Sequence, residues 1–299
     1  MDASPLAAAA RALTASPLAA AAALAACALL AALLARRLLS AAALSREYTA
    51  FRVVSRAVAN RGERPVVFLT IRTSTAALPT GAHVKVRARV GGALVVRSYT
   101  PTKFDAGECE LMFRVYEGGP MSTHLAALRV GDAVEMMGPT GIERYAPRGP
   151  GTFSRGGKEW AGITHVALVG GGTGVTPLLQ IINHVLADPA DATRLRLVAF
   201  ATAVDDFVLE DRVRALARGS RGALSAAFVA SRAPPRGAPP LPADVVAPAS
   251  MRDLSAAALR DLLGVPAGRA TMVCVCGPDG FAERAKALLA PHFENVIVW

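Results

Sequence analysis

Apolar positions along this chain follow two periods in succession. Short runs in which apolar and polar side chains alternate occupy 50–58, 66–71, 83–90, 94–99, 110–116 and 133–137. A period of two is the signature of strands with one buried face. Gly91-Gly92, between the third and fourth runs, is a hairpin turn signal. Six short strands at this spacing predict a small antiparallel β-barrel with one helix, over 121–128, between its last two strands. From 163 the pattern changes. Continuous apolar runs at 165–169, 195–202, 224–229 and 271–276 alternate with helix-period segments at 177–186, 209–218, 255–263 and 280–289. That order predicts an α/β domain, a parallel sheet with helices on both faces. The expected organisation is a barrel domain over 46–147, a Gly/Pro-rich linker over 148–162 and the α/β domain over 163–299. The proline-rich stretch 233–248 reads as a loose loop.

Residues 1–45 differ in kind. Residues 18–35 are alanine and leucine with one cysteine, followed by Arg36-Arg37. At a helical rise of about 1.5 Å per residue this run just reaches the thickness of a bilayer's hydrocarbon core. An N-terminal membrane helix is therefore expected, about 18–35, and the Arg pair would keep the rest of the chain facing the cytosol. The endoplasmic reticulum and the mitochondrial outer membrane are the candidate membranes. Two alternatives stay open. Arg, Ser and Ala content, with Asp2 the only acid before Glu47, also suits a mitochondrial transit peptide, and a cleaved secretory signal is the third reading.

Composition narrows the classes. With 299 residues and 53% hydrophobic content the chain can bury two ordinary cores. The four cysteines form no CxxC pair and suit a reducing compartment, and the five histidines lack ligand spacing, so no metal site is expected. The net charge of +10 favours an acidic partner or an anionic membrane surface, beside the plainer reading of a solvated basic face. Aromatic content of 5% and the lack of a basic stripe argue against nucleic acid. A monomer is expected.

Three segments carry chemistry. Gly170 to Pro177 links an apolar run to an amphipathic helix, so backbone N–H groups and a positive helix end would face a phosphate; a tight turn alone would use the same glycines. Arg97-Ser98-Tyr99-Thr100-Pro101 leaves a strand with Arg97 and Tyr99 on one face, a fixed cation beside an aromatic plate, although such pairs are commonly plain surface. Gly118-Gly119-Pro120-Met121-Ser122 opens the helix of the first domain with small residues and a hydroxyl.

These motifs, with Gly81-Ala82-His83, Arg114-Val115-Tyr116, Gly138 to Gly141 and Cys276-Gly277-Pro278, resemble in order those of the ferredoxin-NADP reductase superfamily, and within it the NADH-cytochrome b5 reductases. The resemblance covers about 48–299. It implies FAD on the first domain and NADH on the second, with NADPH as the alternative nucleotide. Arg97 would neutralise the FAD pyrophosphate, with Ser98 beside it. Tyr99 would pack on the flavin or its ribityl chain, and Thr100 would hydrogen-bond near flavin N5. Gly119, Pro120, Met121 and Ser122 would cradle the pyrophosphate, the last through its hydroxyl as well as its N–H. Arg114 and Tyr116 would line the same cleft, and Trp299 would cover the ring. Gly171, Gly172, Thr173, Gly174, Thr176 and Pro177 would hold the nicotinamide nucleotide, with Thr173 and Thr176 bridging to the flavin. Cys276, Gly277, Pro278 and Phe281 would receive the nicotinamide. Thr100 and Cys276 are the catalytic candidates, Cys276 in a positional role because hydride transfer uses no thiolate. Ser231 and Arg232 fall where the adenosine ribose would lie.

One departure is plain: only Glu117 separates Tyr116 from the glycine pair, where many relatives have a longer loop over the adenine of FAD. The implied partner is cytochrome b5 or another small acidic haem protein. A quinone, a ferredoxin-like protein or an oxygenase are the alternative acceptors. An anchored adaptor with this fold and no bound flavin is the reading from another class.

Overall fold

The computed structural model describes residues 43–299 except 60–63, 76 and 106. The membrane-helix expectation at 18–35 lies outside the described residues. Among the described residues no helix is long and apolar enough to cross a membrane.

The first half is an antiparallel sheet of β1 (Thr49–Ala59), β2 (Val66–Arg72), β3 (His83–Val90), β4 (Ala93–Tyr99), β5 (Lys103–Asp105), β6 (Glu108–Arg114) and β7 (Ala133–Thr140), in the order β4-β3-β7-β1-β2-β6-β5. Strands β4 and β5 are edges and do not pair with each other, so this is a half-barrel where a closed barrel was expected. Strand β5 has three residues, all paired with β6. Gly91 and Gly92, both at positive φ, make the two-residue β3–β4 turn. Inward residues of alternate positions, among them Phe51, Val53, Leu69, Ile71, Leu111 and Met136, fill one core with Met121 and Leu125 of helix α1 (Pro120–Ala127). The Gly138–Pro139 segment, read from its motif as a loop, is the end of β7 and contains a cis peptide bond.

The stretch read as a linker is not structureless. Strands β8 (Glu143–Tyr145), β9 (Phe153–Arg155) and β10 (Lys158–Trp160) form a small antiparallel sheet, and Tyr145 and Phe153 are buried against each other. Three-residue strands separated by glycine turns leave no periodic trace.

The second half is a parallel sheet of β11 (His165–Gly171), β12 (Arg194–Ala201), β13 (Leu224–Ala230), β14 (Val245–Val246), β15 (Thr271–Cys276) and β16 (Asn295–Val298), ordered β14-β13-β12-β11-β15-β16. The continuous apolar runs are explained by burial on both faces. Val166, Leu168, Met272 and Cys274 face α2 (Val175–Ala187) and α3 (Glu210–Gly219), whereas Ala167, Val169, Val273 and Val275 face α4 (Ala256–Leu263) and α5 (Asp279–Leu289). Each such fully buried aliphatic side chain contributes about 1.5–3 kcal/mol for the larger residues. The proline-rich segment, read as a loose loop, supplies β14, which pairs with β13 through Val245 and Val246.

Candidate functional site

Edge strand β4 presents Arg97 and Ser98 to solvent and leaves Tyr99 half-buried. The Arg97 guanidinium donates to the Val96 carbonyl at 2.7 Å and makes no ion pair among the described residues. The Tyr99 ring meets Phe113 edge-on, centroids 6.0 Å apart. Burial pushes the Tyr99 phenol up to about 12, the Arg97 charge opposing and Tyr116 reinforcing the shift. Arg97, Tyr99 and Tyr116 thus share one locality, with half-buried Thr100 directly after β4.

The Gly118-Gly119 turn opens α1. Gly118 stands at φ +69°, and a Cβ on Gly119 would lie 2.6 Å from Ser122 Oγ and 3.0 Å from Tyr116 Cβ. No side chain caps the helix, and Pro120 occupies its first turn, so the N–H groups of Met121 and Ser122 have no intrahelical acceptor and a positive helix end faces outward. The Ser122 hydroxyl is already engaged: it donates to the Gly119 carbonyl and accepts from the Tyr116 N–H, both at 3.1 Å. Its N–H is what remains for an anion.

Arg114, which the motif implies lines the flavin cleft with Tyr116, has its guanidinium engaged across the two halves of the fold. It is buried, with Nη1 donating to Asp206 Oδ1 and Nη2 to the Asp206 carbonyl, each at 2.6 Å. Tyr116 lies beyond the end of β6, 42% exposed, with the Arg64 guanidinium 5.4 Å from its ring centre.

On the nucleotide side, β11 runs into a 3-10 turn, Gly172–Gly174, and then α2, whose first residues Val175 and Thr176 are helical two positions earlier than the periodicity placed them. Gly172 has φ +55°. A Cβ on Gly174 would collide with the Cys276 carbonyl oxygen, and one on Gly171 would lie 2.8 Å from the Phe281 ring. A Cβ on Gly277 would lie 2.6 Å from the same ring. The two glycine loops, from neighbouring strands β11 and β15, therefore touch backbone to backbone with Phe281 wedged against both. Pro177 is buried in the first turn of α2, and Pro278 precedes α5. No side chain caps α2; the Thr176 hydroxyl donates to the Thr173 carbonyl at 3.1 Å, while Thr173 is half-exposed. Burial pushes the Cys276 thiol up to about 12, so it stays protonated at neutral pH. Cys274 is fully buried core.

Ser231 and Arg232 are exposed at the carboxyl end of β13, the Ser231 hydroxyl donating to the Thr202 carbonyl at 3.2 Å. They lie at the same, carboxyl end of the parallel strands as Gly171, two strands across, and Cys276, three strands across. Trp299 extends β16, its N–H donating to the Val275 carbonyl at 2.9 Å, and its indole N–H is buried without a partner among the described residues.

Several residues outside the motifs tie the halves together, four of which bear on the site. Gln180 of α2 accepts from the Gly81 N–H at 3.0 Å and donates to the carbonyls of Ala82 at 3.2 Å and Pro101 at 3.3 Å. His184 Nδ1 pairs with the Thr80 hydroxyl at 2.8 Å, and Arg212 with Glu110 at 3.4 Å. Asp206 holds Arg114. The one trace of these in the sequence is Gln180 itself, a polar residue between Leu178-Leu179 and Ile181-Ile182.

An antiparallel half-barrel and a parallel sheet, each presenting an uncapped helix start and a glycine cradle, define a two-domain architecture suited to two phosphate-bearing cofactors. Residues 50–145 match the oxidoreductase FAD-binding domain and 168–287 the oxidoreductase NAD-binding domain. The chain is 32% identical over 222 residues to NADH-cytochrome b5 reductase 1 of Bos taurus, covering 70% of this chain and 69% of that protein. It is 36% identical over 159 residues to NADH-cytochrome b5 reductase 1 of Mycosarcoma maydis, covering 52% of this chain and 45% of that one. Against several such relatives it spans about half their length, 45% to 51%. The cytochrome b5 reductase domain of Ulva prolifera nitrate reductase shares the fold, with a TM-score of 0.72 at 23% identity, over 87% of this chain and 100% of that one. The chain belongs to the cytochrome b5 reductase and ferredoxin-NADP reductase superfamily.

Proposed function

We propose that this protein is an FAD-dependent reductase that takes hydride from NADH, or in second place NADPH, and passes single electrons to cytochrome b5 or a similar small acidic haem protein. In this reading residues 46–147 form the FAD domain, 148–162 the connection and 163–299 the nucleotide domain. The observation that carries it is the pair of uncapped helix starts behind glycine cradles, one on each half of the fold. Bound FAD accepts an electron pair and releases electrons singly, the chemistry that links a nicotinamide to a haem.

The side chains have separate tasks. Arg97 would supply the charge for the FAD pyrophosphate, Ser98 a neighbouring donor, and Met121 and Ser122 their N–H groups, with Gly119 and Pro120 shaping the approach. Tyr99 offers a half-buried ring face, and Tyr116 the outer wall. Thr100 supplies a hydroxyl at the end of β4 and Trp299 an unpartnered indole donor and a cover. Arg114 would act through Asp206, by holding β6. Gly171, Gly172, Thr173, Gly174, Thr176 and Pro177 would receive the nucleotide pyrophosphate at the start of α2. Cys276, Gly277 and Pro278 would give the nicotinamide a close wall, with Phe281 as its backing. Residues 18–35 are proposed as an anchor that holds a net-positive catalytic unit beside the membrane. There an acidic partner would be steered by charge.

The reading is tested on purified protein. It should be yellow, be bleached by NADH under anaerobic conditions and reduce cytochrome b5. Loss of Arg97 should weaken FAD by about 1.5–3 kcal/mol, the worth of a charge-assisted phosphate contact. Arg97→Ala should therefore lose flavin on gel filtration that the parent retains. Equal retention would remove Arg97 from the site.

Nucleotide choice is assigned to Ser231. Ser231→Asp places a carboxylate where a 2′-phosphate would lie, so NADPH-driven flavin reduction should fall at least about tenfold more than NADH-driven reduction, by like-charge repulsion. Parallel losses in stopped flow would place the ribose elsewhere.

A further inference from the structure

The primary amide of Gln180 has more contacts with the flavin half than any hydride-transfer scheme drawn from the motifs would use. One acceptor and two donors meet one N–H and two carbonyls, those of Gly81, Ala82 and Pro101. This complement forces the amide's orientation, because the flipped form would set an NH2 against the Gly81 N–H. The residues contacted matter. Gly81 and Ala82 are buried and lead into β3, and Pro101 directly follows Thr100. Gly81 is closely approached by the Glu143 backbone, where a Cβ would lie 2.6 Å from the Glu143 carbonyl oxygen. On its own helix Gln180 stands one turn, about 6 Å of rise, beyond Thr176.

We propose that Gln180 is a positioning residue for hydride transfer: its amide fixes the register between the start of α2, which carries Thr176 and directly follows the 3-10 turn holding Thr173, and the Thr100-Pro101 end of the flavin motif. The inference rests on the proposed reductase function and concerns how its two loops are held in line. A rigid tie at this place acts on the separation of the reacting groups, where a displacement near 1 Å can cost about 100-fold in rate. Affinity for either cofactor is set elsewhere, by the glycine cradles and Arg97. His184 is the internal comparison. It joins the same helix to Thr80, one residue before Gly81, but makes no bond beside Thr100.

The test uses three variants of the full chain. Gln180→Glu keeps size and the acceptor for Gly81 but sets a carboxylate against two carbonyls. The limiting rate of flavin reduction by NADH should fall at least about tenfold while the NADH dissociation constant moves less than about threefold. Protonating the new carboxyl restores one donor, so the variant's rate should climb as pH is lowered from about 8 to about 5, in excess of any change in the parent. His184→Ala should lower the melting temperature and leave the reduction rate within about twofold. Gln180→Leu, followed by hydrogen exchange with or without flavin, should raise the exchange rate of the Gly81 amide at least about tenfold. A Gln180→Glu rate within twofold of the parent, or an equal loss in His184→Ala, overturns the positioning role. Unchanged Gly81 exchange overturns the clamp itself. A parent protein that NADH does not reduce overturns the reductase reading instead, and the exchange arm distinguishes the two failures.

Discussion

Gly174→Ala is expected to weaken NADH binding by roughly 30-fold while leaving FAD in place. The added Cβ would meet the Cys276 carbonyl oxygen and lie 2.7 Å from the Gly277 nitrogen, both backbone atoms of the Cys276–Gly277 peptide. No rotamer change can relieve that contact. The turn over 172–174 or the Cys276-Gly277-Pro278 loop must move, and Gly277 is itself pressed between Gly171 and the Phe281 ring. Overpacking of this kind costs about 1–3 kcal/mol, and a midpoint of about 2 kcal/mol is close to 30-fold in affinity. The cost falls where the nucleotide would sit, because both loops lie at the carboxyl ends of adjacent parallel strands, β11 and β15. The dependence of the anaerobic stopped-flow flavin-reduction rate on NADH concentration gives the NADH dissociation constant and measures it. The flavin-to-protein ratio, read on the same sample, separates this from general loss of fold. An unchanged NADH dissociation constant would mean that the nucleotide does not use this loop.

The second large effect is on stability. Arg114→Ala should destabilise the fold by about 3–5 kcal/mol, because it leaves the buried Asp206 carboxylate without its cation. The side chains of the pair are 10% and 6% exposed, and their two contacts are both 2.6 Å. Asp206 Oδ2 also accepts from the Ala203 N–H at 3.2 Å, so the unpaired carboxylate cannot swing out without opening that turn. Replacing both partners by apolar side chains of similar size, Arg114→Met with Asp206→Leu, should recover most of the loss, since the desolvation of two charges disappears together. Urea unfolding of the parent, both single variants and the double variant gives the coupling energy directly. A loss below about 1 kcal/mol for Arg114→Ala would show that the pair is solvated in solution and behaves like a surface ion pair.

Much of this architecture is written in short stretches of chain. Alternation in 83–90 and the unbroken apolar run of 271–276 report burial on one face and on two, a purely local property of strands. The glycine loop after β11 and the glycine pair before α1 are likewise local. Their backbone conformations, Gly172 at φ +55° and Gly118 at φ +69°, suit no other residue well. From those features follows the order of an FAD-binding and then an NAD-binding domain, which the matches over 50–145 and 168–287 share.

Residues that join the domains could not be read in the same way, and the reason is physical. Gln180, Asp206 and Arg212 are polar side chains whose partners lie 79 to 102 positions away, so their meaning depends on which surfaces the folded halves bring together. Arg114 shows it most clearly. Its motif implies a place lining the flavin cleft and says nothing of a partner in the other half, yet packing of β6 against the 3-10 turn after β12 gives it a buried carboxylate. Ser122 is a second case, its hydroxyl consumed by the turn it begins. The three-residue strands β5, β8, β9 and β10 and the two-residue β14 are too short for any periodicity, and only pairing with a neighbour makes them strands. Whether the first sheet closes is decided there as well: β4 and β5 are its two edges, which leaves Arg97 and Tyr99 on an open strand. Local pattern thus marked where the glycine loops and helix starts fall, and long-range packing decided how those loops are held against each other, because alignment is a property of two surfaces and no single segment encodes it.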